Sequence, residues 1–173
     1  MTEQTEPTRE AVLAAASEIV QAFAATDGER YFATFAPEAT FVFHTEPERL
    51  ADRATYERLW ASWVDGGWHV VSCTSSDQLV QPFPGGAVFS HSVDTTVETG
   101  DGSESYRERE TIVFRADPAT DAAAPRLVAV HEHLSPMPDA ARPHPVTPTP
   151  PLTEETCNVA LLPPRAVPRG TLR

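Results

Sequence analysis

Near the start of the chain, Val12, Ala16, Ile19, Val20 and Phe23 recur at i, i+4, i+7, i+8 and i+11. That is one apolar stripe at helical period, so a helix with a single buried face is predicted. Thr8 is its expected N-cap and Asp27-Gly28 its break. A short second helix carries Tyr31, Phe32 and Phe35 and ends near Pro37. Ala39–His44, aromatic and β-branched, predicts a strand. Asp52 is a plausible cap for a third helix, in which Tyr56, Leu59, Trp60 and Trp63 share a face. Gly66-Gly67 closes it.

From Trp68 onward the pattern is that of strands. Trp68–Gln81 reads as one long extended run or two short ones, and Pro82-Phe83-Pro84-Gly85-Gly86 as a turn. Ala87–Glu98 and Glu104–Arg115 are strands joined by a tight hairpin at Gly100-Asp101-Gly102. A polar loop, Ala116–Pro125, leads to the last strand, Arg126–Leu134. Helices first and an antiparallel meander after predict an α+β fold.

Residues 1–8 form a polar lead-in, 9–135 the domain, and 136–173 a tail. Ten of the 17 prolines lie between Pro136 and Pro168, which predicts a mostly extended tail. Its Cys157–Leu162 piece is apolar enough to dock, so the tail is either loose or a strap across the domain or a partner subunit.

A length of 173 residues fits one domain able to bury a core without staples. The net charge of −12 argues against nucleic acid and against an anionic membrane surface as partners. Cys73 and Cys157 lack the spacing of a zinc site or redox pair. The opening residues are acidic and polar, unlike a secretory signal, and no apolar run is long enough to span a bilayer. A cytoplasmic protein with reduced thiols is expected. Ser75-Ser76 and Ser90 lack a nucleophile motif, and the glycines form no phosphate-cradling loop.

The helical start, the Glu38–His44 run, the Trp-rich third helix and the strands Glu110–Arg115 and Val130–Ser135 resemble the SnoaL-like superfamily. That group includes ketosteroid isomerases, polyketide cyclases, scytalone dehydratase, limonene epoxide hydrolase and the association domain of calmodulin-dependent kinase. The last two strands look most like the association-domain branch. The resemblance spans residues 9–135 and implies helices packed on a strongly curved, mainly antiparallel sheet that forms a cone-shaped pocket. It also implies a homodimer through the convex face.

Alternation puts Glu108, Glu110, Ile112 and Phe114 on one face of their strand, and Val128, Val130, Glu132 and Leu134 on one face of the last. Arg107, Arg109, Thr111 and Val113, and Leu127, Ala129, His131 and His133, take the other faces. Alternation alone leaves the inward face open. The resemblance implies that Glu110 and Glu132 point inward and His131 and His133 outward. Phe43 then stands where steroid isomerases carry their base, so isomerisation of that type is not expected, and His44 beside it is an alternative base.

This arrangement predicts cofactor-free acid–base chemistry (cyclisation, isomerisation, dehydration or hydrolysis) on a small hydrophobic metabolite. Glu132 is the expected base and Glu110 the acid or orienting group. Phe43, Tyr56, Trp60, Trp63, Ile112, Val130 and Leu134 are expected to shape the cavity, with Trp63 able to stack on a flat ligand. Three alternatives stand beside this reading. One is a non-catalytic dimeric ligand-binding or association module. A second is a metal site built from His91, His131 and His133. The third places Arg109 and Asp94 around a water, as in the epoxide hydrolases.

Overall fold

The computed structural model describes residues 5–117, 120 and 126–137. Helix α1 (Arg9–Ala24) starts at Thr8, whose hydroxyl accepts from the Ala11 amide at 3.2 Å. Val12, Ala16 and Ile19 of the predicted stripe are buried, while Val20 and Phe23 reach the lip of a cavity. Helix α2 (Gly28–Phe32) is capped by Asp27. It stops at Phe32, short of the predicted end, because Phe35 already opens strand β1 (Phe35–Phe43). Pro37 lies inside β1, which is an edge strand whose register slips between Phe35 and Thr40. A residue without an N–H is tolerated at such a place. Helix α3 (Arg53–Asp65) starts at Asp52, which accepts from the Thr55 amide at 2.7 Å, and ends at Gly66.

Strands β2 (His69–Phe83), β3 (Gly86–Thr99), β4 (Gly102–Ala116) and β5 (Leu127–Pro136) complete an α+β fold. The Trp68–Gln81 run is thus one strand, with register shifts after Val70 and after Ser76. The sheet order is β1-β5-β4-β3-β2; only β1 and β5 pair in parallel. The sheet curls, and the helices pack on its concave side around fully buried Tyr31, Phe35, Phe41, Phe89 and Phe114. Trp60 stacks on Tyr31 with ring centroids 5.1 Å apart and planes 20° apart. No described helix is long and apolar enough to cross a membrane. The tail, its Cys157–Leu162 piece and most of the Ala116–Pro125 loop lie outside the described residues.

Strand β5 corrects one expectation. A bulge falls where its pairing partners jump from Ala129 to His131. Alternation is interrupted there, so Leu127 and Ala129 join the core on the same side as Glu132 and Leu134. Val130, at the bulge, is only half-buried and does not line the cavity.

Gly86, at the β2–β3 turn, is where two backbones meet. A Cβ there would sit 2.3 Å from the Phe114 carbonyl oxygen. Gly86→Ala is expected to cost about 1–3 kcal/mol, seen as a lower urea midpoint at unchanged m-value. An unchanged midpoint would show that the β3–β4 spacing yields freely.

Candidate functional site

The concave face encloses a cavity of about 440 Å³, within the range of small-molecule sites. Glu108, Glu110, Glu132, His44, Phe43, Tyr56, Trp63 and Leu134 all line it. Trp60 and Ile112, expected there, do not. Trp60 turns instead toward Tyr31 and Gly28, and Ile112 is wholly enclosed in the core.

The register brings the acids together. Ile112 pairs with Glu132 and Glu110 with Leu134, so the two glutamates are diagonal neighbours across β4 and β5. Each carboxyl acts directly on the other's proton affinity. Burial is the main cause that raises both, Glu110 to about 7 and Glu132 well above the ordinary carboxylate range. The neighbouring carboxyl raises Glu132 further, while the Tyr31 hydroxyl, donating at 3.0 and 3.2 Å to its two oxygens, works against the shift. Burial first, then Glu132, holds the Tyr31 and Tyr56 hydroxyls protonated.

A second line of contacts runs outward from Glu110. His91 Nε2 lies 2.6 Å from Glu110 Oε2, and His91 Nδ1 lies 2.7 Å from the Ser75 hydroxyl. Ser75 in turn accepts from the exposed Gln78 amide at 2.8 Å. Burial pushes His91 down to about 4, so this is a neutral imidazole and not an ion pair. Its single N–H points to one neighbour and its lone pair to the other. The row therefore runs from Ser75 through His91 to Glu110, and on through the neighbouring Glu132 to Tyr31, with a half-buried hydroxyl at one end and a core phenol at the other.

At the rim, His44 Nε2 is 2.5 Å from Glu108 Oε1. Burial raises Glu108, and its hydrogen bond to His44 partly opposes that. The Cys73 thiol on the wall is pushed up to about 11, mainly by burial, and is kept protonated and inert.

Two alternatives are corrected. His91 is enclosed beside Glu110 on the inner side of the sheet, behind the cavity wall, whereas His131 and His133 pair with Val113 and Thr111 on the opposite face. The three imidazoles do not converge, and no group of three metal-binding side chains occurs among the described residues. Arg109 and Asp94 are also outside the cavity: Asp94 pairs with Arg107 at 3.4 Å on the exposed convex face.

Glu108, Tyr31 and Ser75 were not picked out as site residues from sequence, and His91 was picked out only as a metal ligand. Glu108 had a signal, since it alternates with Glu110. So did His91. The hairpin pairs Thr99 with Gly102, and eight residues back along β3 and eight on along β4 stand His91 and Glu110. Tyr31 had none, because its place in a short helix beside Phe32 marks it as a core aromatic and gives no hint of where the hydroxyl points.

No curated protein matches the sequence. Among solved structures, the chain is similar to an NTF2-like protein from Cytophaga hutchinsonii, at TM-score 0.63 and 13% identity. That match covers 76% of this chain and 99% of the other. It is also similar to the CaMKII hub of S. rosetta, at TM-score 0.58 and 24% identity, over 76% of this chain and 99% of the hub. Both likenesses establish the cone-shaped fold. The family model of the SnoaL-like domain matches residues 12–140, a stretch that contains Tyr31, Ser75, His91, Glu110 and Glu132, and on that match the chain belongs to the SnoaL-like domain family.

Proposed function

We propose that the cavity binds a small, largely apolar organic molecule and performs cofactor-free acid–base chemistry on it. The observation that carries this reading is the Glu110/Glu132 pair. It is buried beside an aromatic cavity, accepts from a tyrosine donor, and is pushed toward its protonated form by burial. A carboxyl pair of this kind presents a base and an acid side by side. It titrates as a unit, so the base and acid roles expected of Glu132 and Glu110 belong to the pair. The His44–Glu108 pair lines the same cavity and adds a second titratable contact to its wall.

Native mass spectrometry of the protein from its own host tests the reading. A retained organic mass of a few hundred daltons is expected, and turnover of that compound should fall about 100-fold or more in Glu132→Gln. A bare protein, or unchanged turnover in the variant, would remove the enzyme reading and favour the association module. The same spectrum counts subunits. A homodimer through the convex face fits the half-buried Val42 and Val113, which point away from the helices; a monomer would exclude it.

A further inference from the structure

The charge of the cavity wall is one-sided. Five glutamates, Glu46, Glu104, Glu108, Glu110 and Glu132, line it, and among the described residues no arginine does. The chain has no lysine at all. His44, the one basic side chain on the wall among the described residues, is already engaged by Glu108. Deeper in, the partners of Glu110 and Glu132 are a phenol and a neutral imidazole. Neither supplies positive charge to balance an ionised carboxyl.

The rest of the wall is aromatic. Trp63 and Trp68 meet at an angle of 52°, with centroids 5.5 Å apart, forming a corner beside Tyr56 and Phe43. Ring faces attract a cation through their quadrupole, and more strongly when it is desolvated. A carboxylate or phosphate ligand would be driven into a pocket of like charge with no donor cation to meet it. A neutral ligand would leave the charge unbalanced as soon as one carboxyl of the pair ionises, whereas a cation would meet it.

We propose that the ligand is an organic cation, an apolar molecule with an ammonium head held between the Glu110/Glu132 pair and the faces of Trp63 and Trp68. This rests on the reading above that the cavity takes a small organic molecule, and narrows it to one class.

The test is a titration of the full chain, followed by tryptophan fluorescence, with three probes of one size: benzyltrimethylammonium, its uncharged carbon isostere neopentylbenzene, and phenylacetate. The expected result is that the cation binds about tenfold or more tighter than the isostere, and phenylacetate weakest. In Glu110→Gln/Glu132→Gln the cation and isostere should bind alike. The wild-type comparison stands alone if the double variant does not fold. Equal binding of cation and isostere, or tightest binding of phenylacetate, would overturn the charge assignment while leaving a small-molecule cavity. A cation preference that survives in the double variant would overturn the role of the pair. Binding of none of the three would overturn both readings.

Discussion

Glu132→Gln is expected to make the fold more stable than wild type at pH 8, because the native carboxyl is held by burial in a place that resists its ionisation. Glu110 and Glu132 are both raised above 4.5 in the folded state, chiefly by burial. Protons that the unfolded chain releases near 4.5 are retained by the native protein. The stability from this retention is fully present below 4.5 and drains away as pH rises through 7, by about 1.4 kcal/mol per pH unit for each proton. His91 runs the other way. Its folded value falls from 6.5 to about 4, so its contribution is complete above 6.5 and is lost as pH falls. Below 6.5 the two trends oppose each other. From pH 6.5 to about 8.5 only the carboxyl trend operates, since thiols and phenols titrate higher. Urea unfolding across that window should show wild-type stability declining and the variant declining less. Parallel curves, or a variant weaker at every pH, would mean that Glu132 is not held protonated.

Trp60→Ala should be the most damaging single change, at about 3–5 kcal/mol. The indole is 5% exposed. It meets Phe23, Tyr31, Phe32 and Trp68 at centroid distances between 5.1 and 5.8 Å. Gly28 leaves room for it, since a Cβ there would reach within 3.0 Å of the indole nitrogen. The void would open behind Tyr31, whose hydroxyl is aimed at Glu132, so the site loosens with the core. A drop in melting temperature of about 10 °C or more is expected for a domain of this size, with Trp60→Phe in between. A shift under about 3 °C would show that neighbouring rings close the gap.

Much of this architecture was legible from spacing alone. The α1 stripe, the caps Thr8 and Asp52, and the Gly100-Asp101-Gly102 hairpin each have a local physical cause, and each lies where the pattern put it. The inward Glu110 and Glu132 needed the family resemblance, since both faces of β4 and β5 are partly apolar. The errors came from features that alternation cannot encode. Val130 was misplaced because a bulge interrupts the period of two in β5. Phe35 was read as helical because aromatic residues on both sides of Thr34 hide the point where a 3.6 period becomes 2. Trp60 was placed on the cavity wall because Tyr56, Trp60 and Trp63 share one helix face, and only the position of Tyr31 decides which of them is covered.

The parallel pairing of β1 with β5 sets the order in which the molecule can be completed. Strands β2, β3 and β4 join by short turns and can zip up as soon as they are made. β1 has no sheet partner until β5 has been synthesised, and Phe41 meets Glu132 across 91 residues of chain. Closing so long a loop is entropically costly and slow. Glu132 rides on that last strand, so the carboxyl pair does not exist during synthesis until the sheet is closed. In a nascent chain Glu110 therefore stands without its partner carboxyl, and the cavity is complete only when folding ends.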